Sequence, residues 1–156
     1  MLEVTVITVS DRAFRGEYQD LSGPIIVEMI SESSVEANVS LTIVPDNKIQ
    51  IRKAIQDNIG KDYIFTTGGT GISPRDVTPE VTEEICDRFL PGISEMLRFE
   101  SYKQNKNAVF SRGCSGVRDK TIIINFPGSV KAVTLCTQLI LPVMEHGIEM
   151  LDGGKH

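Results

Sequence analysis

The chain has 156 residues, 16 of them basic and 21 acidic, for a net charge of −5. That length suits a single domain, residues 1–156, and buries roughly 68–70% of the unfolded surface without a disulfide or metal staple. A composition of 40% hydrophobic and 24% charged residues excludes a disordered or fibrous chain, and the acidic balance argues against nucleic acid as a partner. Any polyanion must be held locally, by backbone amides, a few basic side chains or a metal ion.

Leu2 to Val9 is rich in β-branched residues and does not alternate, as a strand buried on both faces should read. Ser22-Gly23-Pro24 opens a helix in which Ser22 can cap and Ile25, Ile26, Met29 and Ile30 face inward. Val39 to Val44 is a second strand, and Pro45-Asp46-Asn47 ends it and caps a helix with Ile51, Ile55 and Ile59. Gly60 stops that helix. Tyr63 to Thr67 is a third strand. It runs into the loop Gly68-Gly69-Thr70-Gly71-Ile72-Ser73-Pro74-Arg75-Asp76. Thr78-Pro79-Glu80 reads as cap, first-turn proline and first-turn acid of a helix reaching Phe89. Pro91-Gly92 starts another, to about Lys103. Val109 to Val117 is ambiguous and reads as a short strand and a turn. Thr121 to Asn125 is a buried strand, Pro127-Gly128-Ser129 turns it into a helix capped by Ser129, and a last helix spans Val143 to Met150. The alternation predicts a three-layer α/β fold, doubly wound, with a mostly parallel sheet.

Two compositional points concern location. Cys86, Cys114 and Cys136 are odd in number and lack CxxC spacing, so buried thiols in a reducing compartment are expected. The start, Met1-Leu2-Glu3-Val4, lacks the basic and apolar regions of a signal peptide, and no apolar run approaches the ~18 residues that span a bilayer. A soluble cytoplasmic protein with no membrane partner is expected.

Polar groups end four strands: Ser10-Asp11-Arg12, Pro45-Asp46, Thr66-Thr67-Gly68-Gly69 and Asn125-Phe126-Pro127-Gly128-Ser129. Parallel strands bring all four to one sheet edge, where open α/β folds bind ligands. The loop glycines let amides face an anion, and the helix after Thr78 adds its positive end. It is neither a Walker loop nor GxGxxG, and a plain tight turn is the competing reading. Asp46 and Asp76 share this edge, and carboxylates beside a phosphate site suggest Mg²⁺. Asp46 could instead be a helix cap, and Asp76 a turn acid paired with Arg75. Arg12 could grip an anion or form a surface pair with Asp11 or Glu17. Ser111-Arg112-Gly113 could meet another anionic group or be only a turn. His146 and His156 are assigned no chemistry.

These segments together resemble the molybdopterin adenylyltransferase family, the MogA type, which includes the G domain of gephyrin and of plant Cnx proteins; MoaB proteins are more distant cousins. The matching residues are Ser10-Asp11-Arg12-Ala13, Gly16-Glu17-Tyr18-Gln19-Asp20, Ser22-Gly23 and Pro45-Asp46. They continue through Thr66 to Gly71, Pro74-Arg75-Asp76-Val77-Thr78-Pro79-Glu80, Pro91-Gly92, Ser111-Arg112 and Asn125 to Ser129. The resemblance covers the chain from about Val4 to the last helix. It implies transfer of AMP from Mg-ATP to the terminal phosphate of molybdopterin, with release of pyrophosphate. It also implies a homotrimer, and a small β extension on the sheet. Asp46 and Asp76 fall on the family's two essential acidic positions. Thr67 to Gly71, Ser111-Arg112 and Pro127-Gly128-Ser129 fall on its ligand-binding segments, and Ser10, Asp11 and Arg12 would complete the pocket. A separate molybdenum insertase would take the product. A MoaB-like protein, or a binding-only carrier of pterin or nucleotide, is the alternative. The chain departs from the family in a short stretch from Ser129 to Asp152, and in Phe126, where leucine is usual.

Overall fold

Six strands run in chain order as β1 (Leu2–Val9), β2 (Ala37–Val44), β3 (Tyr63–Thr67), β4 (Arg88–Phe89), β5 (Ser115–Arg118) and β6 (Thr121–Phe126) in a computed structural model that describes residues 1–154. They form one sheet of order β2-β1-β3-β6-β5-β4. β1 pairs in parallel with β2 and β3, and β3 with β6, while β5 and β4 add an antiparallel edge. This is the expected doubly wound architecture, and the antiparallel edge is its β extension. The winding turns back between β1 and β3, which puts a crevice at their carboxyl ends.

The helices are α1 (Asp11–Phe14), α2 (Ser22–Glu32), α3 (Lys48–Gln56), α4 (Thr78–Ile85), α5 (Pro91–Gln104), α6 (Val130–Ile140) and α7 (Met144–Leu151). Two buried clusters lie on opposite faces of the sheet. Val4, Val6, Phe65, Ile124 and Phe126 pack with Ile26, Ile30, Leu97, Val133, Ile140 and Met144 from α2, α5, α6 and α7. Ile7, Val9, Ile64 and Ile123 pack with Ile51, Ile55, Val81 and Ile85 from α3 and α4. β1 and β6 therefore contribute to both faces, which is why their sequences do not alternate. Phe126 stacks on Phe65 at 5.1 Å between ring centroids, and Phe65 stacks on Tyr63 at 5.5 Å. The aromatic ladder accommodates the departure from leucine at that position.

The structure corrects four local expectations. Asp20, not Ser22, satisfies the start of α2: its carboxylate accepts from the Gly23 amide at 3.1 Å and the Ser22 hydroxyl at 3.4 Å. Asp20 also accepts from Thr8 Oγ1 at 2.8 Å, so it docks the helix start onto β1. α3 ends at Gln56 rather than Gly60, and turns follow. Thr78 does not cap α4; its hydroxyl donates to the Gly68 carbonyl at 3.1 Å. α4 ends at Ile85 rather than Phe89, because Arg88–Phe89 pairs with β5. The ambiguous Val109 to Val117 resolves into a 3-10 turn at Lys106–Phe110 and then β5.

All three cysteines are free thiols. Burial pushes Cys86 and Cys136 up to about 11 and Cys114 up to about 12, so none is a ready nucleophile near neutral pH. Among the described residues, no helix is long and apolar enough to cross a membrane. His156 lies outside the described residues.

Candidate active site

The carboxyl ends of β1, β2, β3 and β6 bring the four polar segments together. Asn47 caps α3, accepting from the Gln50 amide at 3.1 Å. Asp46 is thereby released from the cap role that its sequence position allowed. It exchanges bonds with Asp11 instead. The Asp11 amide donates to Asp46 Oδ2 at 3.0 Å, and the Asp46 amide donates to Asp11 Oδ1 at 2.9 Å. Arg75 donates to Asp11 Oδ2, bridging the loops after β1 and β3. Asp76 is not the partner of Arg75; it turns back on its own loop and accepts from the Ser73 amide at 3.0 Å.

The electrostatics follow from this packing. Burial, opposed by its bond from the Asp11 amide and reinforced by the charges of Asp11 and Asp76, raises the Asp46 carboxyl above its ordinary value. The Arg75 bond, joined by the bond to Asp46, holds Asp11 below its own. The Asp11 amide and the Arg75 charge offset only part of the cost of ionising Asp46.

The glycine loop wraps between these acids. Gly68 and Gly69 take φ of +98° and +69°, a region that only glycine occupies cheaply. A Cβ on Gly69 would sit 2.4 Å from Thr78 Oγ1 and 3.2 Å from Asp46 Oδ1; one on Gly71 would sit 2.8 Å from Asp76 Oδ2. Both carboxylates therefore lie against the loop backbone. The Gly68 amide is committed to the Phe126 carbonyl at 3.2 Å, which narrows the expected donor set. The amides of Gly69, Thr70 and Gly71 make no hydrogen bond among the described residues.

Beside the loop lies a cavity of about 410 Å³, large enough for a fused-ring heterocycle. Of the residues expected from sequence, Thr70, Gly71, Ser111, Pro127, Gly128 and Ser129 line it. Asp46 and Asp76 do not; the cavity starts at Thr70 and Gly71, next to the acids. Ser129 also caps α6, accepting from the Ala132 amide at 3.2 Å. Thr67 is buried and spends its hydroxyl on the Pro127 carbonyl at 2.7 Å, tying two loops together. Ser10 caps α1 through the Ala13 amide at 3.1 Å.

Two arginines are placed differently from expectation. The Arg12 guanidinium lies over the Tyr18 ring, 5.3 Å from its centroid, while Glu17 pairs with Arg15. Arg112 turns inward to Gly71, Asp76 and Glu80. The cavity also has polar walls that the sequence reading missed: Asn105, Asn107 and Lys131. Their signal was the polar run after α5 and the lysine two residues after Gly128-Ser129, neither of which forms a motif by itself. In sequence Asn125 stands out only as one residue of the Asn125 to Ser129 segment. Its amide group joins Thr66 and Thr82, 2.9 Å to each, and accepts from the Cys114 amide at 3.1 Å.

Residues 5–146 match the family described as a probable molybdopterin binding domain. The chain is 37% identical over 156 residues to the molybdopterin adenylyltransferase of Helicobacter pylori strain 26695, covering 97% of this chain and 89% of that protein. It is 34% identical to a molybdenum cofactor biosynthesis bifunctional protein of Synechococcus elongatus, covering 97% of this chain but 48% of that longer one. The crystal structure of the molybdopterin biosynthesis enzyme MoaB from a Thermus species superposes with a TM-score of 0.87 at 40% identity, covering 98% of each chain.

Proposed function

We propose, from the premise that this chain belongs to the molybdopterin-binding domain family, that it is a molybdopterin adenylyltransferase of molybdenum cofactor biosynthesis. The observation that carries the reading is the pair of carboxylates against Gly69 and Gly71, beside three open amides and a heterocycle-sized cavity. A net-negative protein can bind polyanions there without a basic surface.

A phosphate oxygen of molybdopterin forms a bond to the α-phosphorus of ATP. The bond from that phosphorus to the bridging oxygen breaks, and pyrophosphate carries the electron pair away. The pterin phosphate is largely ionised near neutral pH, its second pKa being roughly 6, so no strong general base is needed. The barrier is the approach of two polyanions and the spread of charge in the transition state. The amides of Gly69, Thr70 and Gly71 orient phosphate oxygens. Ser111, Gly128 and Ser129, with Lys131, bound the space for the ring system. Asp46 and Asp76 would hold Mg²⁺ brought by the nucleotide. The donor set fits that role: the Asp46 carboxylate lies 3.2 Å from the Cβ position of Gly69 and the Asp76 carboxylate 2.8 Å from that of Gly71, two hard oxygen donors on one loop. Two carboxylates completed by water and substrate phosphates are a usual Mg²⁺ arrangement. When bound, the ion would neutralise phosphate charge in the transition state.

A homotrimer in the cytoplasm, passing product to a separate insertase, completes the proposal; the longer bifunctional relative is in keeping with that partnership. The decisive experiment follows formation of adenylylated pterin from ATP and molybdopterin at fixed Mg²⁺. Stoichiometric product, lost in Asp76→Asn at an unchanged thermal midpoint, supports the transferase. Tight pterin binding without product would make the protein a carrier.

A further inference from the structure

Arg112 stands at the base of the exposed strap that links the glycine loop to α4. Its amide donates to the Thr70 carbonyl at 2.7 Å. Its Nε donates to the Gly71 carbonyl at 2.7 Å and its Nη2 to the Asp76 carbonyl at 2.8 Å. Its Nη1 reaches both oxygens of Glu80, at 2.6 and 3.1 Å. The three guanidinium nitrogens are thus all donating, and the Glu80 carboxylate balances the charge. An anionic substrate would have to displace an ion pair already formed.

The strap has little else to hold it. Ile72 to Arg75 are exposed, and the remaining bonds are short-range turns among Ser73, Arg75 and Asp76, the Arg75–Asp11 bridge, and Thr78, whose amide and hydroxyl donate to the Gly69 and Gly68 carbonyls at 3.2 and 3.1 Å and pin the foot of the loop. The mount under Arg112, by contrast, is firm. Arg98 Nη1 donates to the carbonyls of Ser111 and Gly113 at 3.3 and 3.0 Å, and Asn125 accepts from the Cys114 amide at 3.1 Å. A fixed arginine therefore grips both ends of a loosely packed loop. A guanidinium spans these acceptors from three separate nitrogens, whereas an ammonium group offers its three donors from a single atom.

We propose that Arg112 is a positioning residue: with Glu80 it clasps the strap from Thr70 to Asp76 and so sets the Asp76 carboxylate against the Gly69–Gly71 amides. The kinetic part rests on the adenylyl-transfer reading; the clasp itself does not. It acts on the transition state through the loop and does not bind phosphate.

The test compares Arg112→Gln, Arg112→Lys and Glu80→Gln by amide hydrogen exchange in the ligand-free protein and by transfer kinetics. Both Gln variants should speed exchange at the strap amides and leave the sheet protected. Arg112→Gln should lower kcat on the order of 10- to 100-fold with KM for ATP changed less than about threefold. Arg112→Lys should not rescue, and the Arg112→Gln/Glu80→Gln double variant should be no worse than Arg112→Gln alone. Unchanged strap exchange, with a raised KM for ATP restored by lysine, would make Arg112 a phosphate ligand and overturn the proposal. If Arg112→Gln fails to fold, Glu80→Gln carries the exchange measurement. If no transfer occurs in the parent protein, exchange alone decides the clasp, so the two readings fail separately.

Discussion

Asp46 and Asp11 exchange amide bonds yet titrate in opposite directions, because burial dominates at Asp46 and the Arg75 hydrogen bond dominates at Asp11. The consequences for stability have opposite signs. The folded value of Asp46 is raised above the ordinary aspartate value of 3.8, so the folded state holds that proton more tightly than the unfolded chain. Its favourable contribution is present at acid pH and is lost as pH rises through the raised value. Asp46→Asn should therefore raise the thermal midpoint near neutrality, and the gain should vanish below the ordinary value. The same variant should lose transfer activity on the order of 10²-fold or more, as expected when a charge-stabilising group is removed. Asp11 is lowered, so its contribution is present above 3.8 and is lost as pH falls through the lowered value. Asp11→Asn should lower the midpoint near neutrality. Thermal midpoints of the two variants from acid to neutral pH check both signs; a destabilised Asp46→Asn would mean that the residue is structural.

The glycines show how one residue type serves different elements. Gly68 combines a φ of +98° with a Cβ position 2.4 Å from the Val9 carbonyl oxygen, where neither backbone can give way. Gly92, in the first turn of α5, has nothing within 4 Å of its Cβ position. Urea unfolding should show Gly68→Ala losing about 1–3 kcal/mol, while Gly92→Ala is neutral or gains up to about 1 kcal/mol through the unfolded chain. The helices of the core were legible because Ile51, Ile55, Val133, Cys136 and Ile140 keep a helical spacing. β4 was not legible. Arg88 and Phe89 extend a helical pattern in sequence, and only the unpaired edge of β5 draws them into a strand.

At the scale of the molecule, one face along α5 stays apolar and open. Phe99 is 65% exposed, Tyr102 45% and Val109 58%, with Phe89 53% exposed nearby on the sheet edge. Apolar side chains grouped in this way mark interaction surfaces more often than scattered ones do. The proposed trimer would need such a surface to close. The 3-10 turn that carries Val109 on this face also places Ala108 and Phe110 on the cavity wall, so the apolar face and the cavity share a segment. Light scattering on a sizing column should give a trimer for the parent chain and a smaller species for Phe99→Asp/Tyr102→Asp. A monomeric parent at assay concentration would remove the trimer from the proposal.

The sequence by itself determined the alternation of strands and helices, the edge at which the polar segments meet, and the glycine loop flanked by two acids. Those features are local: β-branched runs, helical spacing and glycine clusters act on neighbouring residues, and parallel connection then forces the strand ends together. Tertiary structure decided what each polar side chain does. Asn47 rather than Asp46 caps α3, and Asp20 rather than Ser22 docks α2. Arg75 pairs with Asp11 across 64 residues, and Arg112 with Glu80 across 32. Such partners depend on the order of strands in the sheet, since a hydrogen bond senses distance in space and not separation along the chain.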